Sequence, residues 1–200
     1  MKSDLFRYYH PNLLIPLIVF FGILLYFGNK LSGAHLGVSV SIVSIISFLL
    51  VAIDRKLWKY KPFSFLFWSL DVSGHYEGEI TYVDPTTKTV QSKKAIVKIF
   101  QTGSSIKVLS QFGDFDSENR TDSNSLQTSL VKDEHGICSI VFTYQNDGNH
   151  ILGYPPHFGT NVLHVGESMN GAKVLDGVYY TDRTPNQTKG KIRVELVKDN

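Results

Sequence analysis

The sequence predicts an all-β domain of about eight antiparallel strands, closed into a barrel, behind a two-helix transmembrane hairpin. Three observations predict it. Two uncharged apolar runs fill most of the first 53 residues. From residue 74 onward, apolar and polar side chains alternate with period two, the period of a strand. Charge divides at the same place. Residues 1–61 hold seven Lys and Arg against two Asp and Glu, a balance of +5, whereas residues 62–200 hold thirteen against sixteen, a balance of −3. These are two segments built for two solvents. The expected organisation is a hairpin over 1–61, with spans at about 11–28 and 33–53, an aromatic linker over 62–72, and a barrel over 73–200.

The first apolar run, Leu13 to Phe27, reaches with its flanks the roughly 17–25 residues that a spanning helix needs. Pro16 sits near its start, where a missing N–H costs least. Gly28-Asn29-Lys30 makes a turn, and Gly33 to Ile53 is a second uncharged run. No small-residue cleavage site follows the first run, which argues against a secretory signal. Lys2 and Arg7 precede the hairpin, Arg55, Lys56, Lys59 and Lys61 follow it, and Lys30 alone lies between. By the positive-inside rule both termini face the cytoplasm. Trp58, Tyr60, Phe63, Phe65, Phe67 and Trp68 come next. Such rings either sit in the headgroup layer or form a packed linker.

The strands follow in order. Tyr76, Gly78, Ile80 and Tyr82 share one face of the first; Ala95, Val97, Ile99 and Gln101 share one face of the second. A Gly-Ser-Ser turn leads to Ile106, Val108, Ser110 and Phe112. Residues 115–131 are polar and hold a fourth strand with a small-residue face. Ile140, Phe142 and Tyr144 mark the fifth, Gly159 to Val165 the sixth, Leu175 to Arg183 the seventh and Gly190 to Leu196 the eighth. Eight such strands close into a barrel that leaves no edge exposed; a two-sheet sandwich is the alternative.

The inferred inner faces carry Tyr76, Gln101, Tyr144, Tyr179, Thr181 and Arg183. Buried polar groups need partners, and a bound ligand is one kind of partner. Arg183, at the end of a strand, suits a phosphate or carboxylate; the plainer reading is a rim salt bridge with Asp182 or Asp176. Gly153-Tyr154-Pro155-Pro156-His157 is either a turn or a ligand-facing rim. There is no phosphate loop, dinucleotide fingerprint, nucleophile elbow or metal-ligand spacing, so no enzyme and no resident cofactor or metal is expected. The single cysteine, Cys138, excludes an intramolecular disulfide. A formal net charge of +2 gives no case for a nucleic-acid polymer as partner. Without further information a membrane-tethered carrier of a small hydrophobic ligand, or a scaffold, remains open.

One ordered set of motifs narrows this. Behind the hairpin come Gly74-x-Tyr76-x-Gly78, Ile99-x-Gln101-Thr102, a Ser/Asp-rich segment and Phe142-x-Tyr144-x-Asn146. Then come His157-x-Gly159-Thr160, Leu175-x-Gly177-x-Tyr179-x-Thr181-x-Arg183 and Gly190-x-Ile192. The chain thereby resembles the two-transmembrane β-barrel effectors of bacterial CBASS anti-phage systems. It departs in having Tyr76 where a tryptophan is expected and in having no aromatic directly after Thr102. The resemblance implies that a cyclic dinucleotide, made by a CD-NTase, is the activating ligand. It implies contacts from Tyr76, Gln101, Tyr144, His157, Thr160, Tyr179, Thr181 and Arg183. It further implies self-association into oligomers and disruption of the lipid bilayer.

Overall fold

Helices Pro11–Leu31 (α1) and Ile42–Ala52 (α2) are followed by a wide helical turn, Ile53–Leu57, a short tight helix, Phe63–Leu66, and eight strands. The strands are Gly74–Val83 (β1), Val90–Gln101 (β2), Ile106–Gly113 (β3), Arg120–Lys132 (β4), Cys138–Asn146 (β5), His157–Glu167 (β6), Lys173–Thr181 (β7) and Lys189–Leu196 (β8). They are seen in a computed structural model that describes residues 6–31, 42–84, 86–113, 120–150, 153–184 and 187–197. The chain divides into two units, Met1–Asp71 with Thr102–Ser105, and Val72–Gln101 with Ile106–Asn200.

Among the described residues of the first unit, one helix is long and apolar enough to cross a membrane, over Pro11–Gly28, and little of it is buried by the chain. Its outward side chains include Ile15, Val19, Phe20, Ile23 and Leu24. Side chains of that kind need either a protein partner or lipid. The expected second span is only partly within the described residues. Its first portion, 33–41, lies outside them, and α2 has eleven residues, about 16 Å at 1.5 Å per residue. Of the expected two-helix hairpin, one helix of spanning length is seen among the described residues. Part of the aromatic segment is packed and part is exposed. Trp58, Leu66 and Phe67 are buried with Tyr9, Leu14 and Ile53 in one cluster, and the Tyr9 and Phe67 rings lie 4.1 Å apart. Tyr60 and Phe65 are exposed.

In the second unit every strand pairs antiparallel with its neighbours in sequence, and β1 pairs with β8 to close the barrel. Closure satisfies the backbone groups that an open sheet would leave at its edges. The sandwich alternative is thereby excluded. One irregularity breaks the strict alternation. Between Ser125 and Gln127 the β4–β5 register shifts, so Leu126 is an extra residue, and it is exposed. A one-residue bulge moves the following side chains onto the other face. Leu130, beyond the bulge, is accordingly buried along with Ser123 before it.

The barrel interior is layered. At the end where the chain enters β1, it is filled by Val97, Ile99, Val108, Ile140, Leu163, Leu175, Ile192 and Val194, none more than 4% exposed. Toward the other end, formed by the last residues of β1, β3, β5 and β7 and the first of β2, β4, β6 and β8, the inward residues become Tyr82, Lys93, Tyr144, His157, Tyr179 and Thr181. Asn161, 1% exposed, marks the transition, and its Oδ1 has no partner among the described residues.

Candidate functional site

The end of the barrel away from the chain's point of entry holds a cavity of about 360 Å³. That is within the range of sites for small molecules. Its wall is Ile80, Tyr82, Lys93, Phe112, Tyr144, Asn146, Tyr154, His157, Tyr179, Thr181, Arg183 and neighbouring threonines, with Asp84 at the rim.

Two glycines make room for its tyrosines. Tyr144 of β5 stands opposite Gly159 of β6, and a Cβ at Gly159 would strike the Tyr144 ring. Tyr179 of β7 stands opposite Gly190 of β8, where a Cβ would meet both the Tyr179 ring and the Thr81 carbonyl. Each ring therefore lies over a bare stretch of backbone, and the inside of the barrel stays open at this level. Burial, above all, pushes the Tyr144 hydroxyl up to about 12, Arg183 lowering it and Asp182 raising it by smaller amounts. Tyr179 is also raised, first by burial and then by Tyr144 and Tyr82. Both hydroxyls are neutral at physiological pH, facing the cavity as donors and acceptors.

The loop between β5 and β6 supplies a third ring. Asn146, 2% exposed, donates from Nδ2 to Ser123 Oγ (2.8 Å), and its Oδ1 accepts the Gly148 N–H (2.9 Å). Gly148 has φ +71, and a Cβ there would strike the Tyr154 carbonyl, so only glycine fits the turn. Asn149 and Tyr154 exchange both backbone hydrogen bonds, at 2.8 and 2.9 Å. The Tyr154 ring is thus fixed at the mouth between two cations. Lys93 Nζ is 5.5 Å from its centroid and Arg183 Cζ is also 5.5 Å from it, while Lys93 lies 5.7 Å from Tyr82. These distances are within the reach of cation–π attraction.

Arg183 lies two residues beyond β7, in its connection to β8, rather than within the strand. Thr181 ties the base of that connection: its hydroxyl meets Thr188 Oγ1 at 2.8 Å and accepts the Thr188 N–H at 3.1 Å. The rim salt bridge weighed for Arg183 is not the arrangement found. Asp182 Oδ1 accepts the Phe158 N–H (2.7 Å), and Asp176 accepts from Arg193 Nη1 (3.1 Å). Arg183 instead donates its Nε–H to His157 Nε2 at 3.3 Å. His157, 7% exposed, is held below its ordinary value by burial and then by the Arg183 charge. On the rim, Asp84 Oδ1 accepts the N–H groups of Thr86 and Thr87 (2.8 and 2.9 Å), which hold its carboxyl below the usual range, Thr87 contributing most.

Of the eight residues singled out from the sequence, the cavity brings together five: Tyr144, His157, Tyr179, Thr181 and Arg183. Tyr76 and Gln101 are at the opposite end. The Tyr76 hydroxyl donates to the Val72 carbonyl and Gln101 Oε1 accepts the Val72 N–H, both at 2.8 Å. Val72 is wholly buried, and these two side chains satisfy the backbone where the chain enters the barrel. Thr160 pairs with Thr143 and Tyr180 on the outer face. Sequence reasoning missed Lys93 and Tyr82 as site residues. Lys93 has the parity of Ala95 and Val97, which would have placed it inward, and Tyr82 completes the Tyr76–Ile80 face. Tyr154 carries no periodic signal, because its position depends on the loop.

The cavity thus combines four tyrosine rings, a phenylalanine, two cations and several hydroxyls. Rings bind flat unsaturated groups, and cations bind phosphate or carboxylate. Among the described residues no three His, Cys, Asp or Glu side chains come together in a way that would hold a metal ion.

No family model and no solved structure matches the chain. A protein of Staphylococcus schleiferi named CD-NTase-associated protein 15 is similar: 29% identical over 161 residues, covering 78% of this chain and 77% of the relative.

Proposed function

We propose that this chain is a membrane-anchored effector of CBASS anti-phage signalling, and that the open end of its barrel binds a cyclic dinucleotide made by a CD-NTase. The observation that carries this is the union of Tyr82, Tyr144, Tyr154 and Tyr179 with Lys93 and Arg183 around one cavity. A cyclic dinucleotide is two bases on a doubly anionic ring. Its bases stack on aromatic rings, each contact worth roughly 1–3 kcal/mol in single-stranded complexes. Its phosphates pair with guanidinium and ammonium groups. A carrier for an apolar ligand has no use for two cations at the mouth. The staphylococcal relative, CD-NTase-associated by name, supports the same setting.

The chain performs no chemistry on the ligand. The nucleotide acts as a switch: it binds the self-associated form more tightly and shifts the population toward it. The apolar helix Pro11–Gly28, joined by the second apolar run at 33–53, then disrupts the inner membrane and kills the infected cell. Both termini lie in the cytoplasm, where the messenger is made.

The test uses the full chain in vesicles of bacterial phospholipid loaded with a self-quenched dye. Cyclic di-adenylate, cyclic di-guanylate and mixed purine–pyrimidine cyclic dinucleotides are added in turn. At least one is expected to release the dye, and its linear counterpart is expected not to. A folded, inserted protein that releases nothing with every member overturns the proposal.

A further inference from the structure

We propose that His157 is the positioning residue of this site, taking the Arg183 Nε–H on its Nε2 so that the end of the guanidinium, Nη1 and Nη2, is presented to the ligand's phosphate. This rests on the reading that the cavity takes a phosphodiester; His157 acts on that ligand through Arg183.

The two hydrogen bonds of the imidazole agree on one state. Nε2 faces the Arg183 Nε–H, which can only donate, at 3.3 Å. Nδ1 faces the Pro155 carbonyl, which can only accept, also at 3.3 Å. The ring must therefore be neutral, with its proton on Nδ1. Its surroundings favour that state. The side chain is 7% exposed, and Arg183 opposes a second positive charge. Among the described residues Asp182 is the carboxylate acting on it, and that carboxylate is engaged by the Phe158 N–H.

A guanidinium offers an anion two geometries: side-on through Nε and one Nη, or end-on through both Nη groups. Committing Nε to His157 removes the first. Tyr154 covers the guanidinium at 5.5 Å and restrains its plane. Among the described residues Arg183 forms no ion pair, so its terminal nitrogens remain available at the cavity wall. His157 and Tyr154 come from one segment, braced by the Asn149–Tyr154 bridge and by Asn146. The loop before β6 and the first residue of that strand thus fix an arginine that belongs to the β7–β8 connection.

The experiment measures binding to the full chain in detergent micelles by calorimetry. The probes are inorganic pyrophosphate and whichever cyclic dinucleotide releases dye from vesicles. His157→Leu keeps the volume and removes the acceptor; His157→Gln restores a neutral acceptor at similar reach. The Leu variant is expected to bind about tenfold more weakly and the Gln variant to stay within about threefold of the parent, as loss and rescue of a charge-assisted hydrogen bond require. In an Arg183→Ala background the Leu change is expected to add nothing, because the two residues act as one unit. A Gln variant as weak as Leu, or a full additional loss on Arg183→Ala, overturns the proposal. Nitrogen-15 NMR of the imidazole gives a second readout, independent of any ligand. The Nδ1–H tautomer is expected in the parent, and an Nε2–H tautomer overturns the proposal even if the Leu variant fails to fold. Should neither probe bind the parent, the phosphodiester reading falls, while the tautomer still decides the His157–Arg183 contact.

Discussion

The two ends of the barrel are built from the same eight strands and differ in what those strands point inward. On β7, Leu175 packs into the closed end, whereas Tyr179 and Thr181, four and six residues on, wall the cavity. On β6, Leu163 is wholly buried among aliphatics, Asn161 is buried with an oxygen that has no partner among the described residues, and Gly159 and His157 shape the site. Polar inward residues occur at both ends, with different uses. Tyr76 and Gln101 are spent on the backbone of Val72. Tyr144, Tyr179, Lys93 and Arg183 face a cavity large enough for a ligand. A polar residue inside a barrel is therefore evidence of binding only after its structural partners are counted.

The sharpest way to break the contrast is to truncate each end. Leu163→Ala at the closed end should lower stability by about 2–5 kcal/mol, the usual cost of a cavity in a packed core. Arg183→Ala should cost less, about 0.5–1.5 kcal/mol, the net worth of its one hydrogen bond to His157. Urea unfolding followed by circular dichroism measures both; a larger loss for Arg183→Ala would mean that the open end is also structural. Gly159→Ala should come next. The new methyl must displace the Tyr144 ring, costing about 1–3 kcal/mol as overpacking does, and nucleotide affinity should fall with it. Unchanged affinity would show that Tyr144 does not touch the ligand.

Gln101→Leu separates the two uses of polar residues. It leaves the buried Val72 N–H without its side-chain acceptor, a loss of about 1–3 kcal/mol, and should leave nucleotide binding unaltered. Lost binding in a folded protein would move the site to the other end. The smallest expected effect is on pH dependence. His157 is held below its ordinary 6.5 in the folded chain, so the unfolded chain binds the proton more readily. Its neutral form contributes stability above that value, and the contribution is lost as pH falls. Melting temperatures measured from about pH 7.5 down to about pH 5 should drop less in His157→Gln than in the parent; parallel curves would show that His157 titrates normally.

The barrel was legible because its signal is local and repeated. Alternation such as Leu175-x-Gly177-x-Tyr179 fixes an inner face residue by residue, and eight such runs leave few ways to close. Three of the site residues came from the same signal, since Tyr144, Tyr179 and Thr181 sit on those faces. The rest was illegible for identifiable reasons. Parity says which face a residue occupies but not how far along the barrel it lies, so Tyr76 and Gln101 looked like Tyr144. Thr160 has the wrong parity for the interior, and only a motif had placed it in the site. Tyr154 lies in a connection, where position follows from glycines and side-chain braces rather than from a period; Arg183, named from the alternation of β7, lies in a connection too and not in the strand. Leu126 shows the other limit: one bulged residue shifts the alternation of β4, and nothing in its neighbours announces it.

The most direct test of the division between the two ends is thermal unfolding of the full chain, in detergent, with the cyclic dinucleotide panel. It is carried out on the parent, Gln101→Leu and Arg183→Ala. A ligand at about 100 times its dissociation constant adds about 2.7 kcal/mol of stability, a shift well above the noise of a melting curve. The shift should survive Gln101→Leu and disappear in Arg183→Ala. A shift that survives Arg183→Ala and disappears in Gln101→Leu would place the ligand at the packed end and contradict the division drawn here.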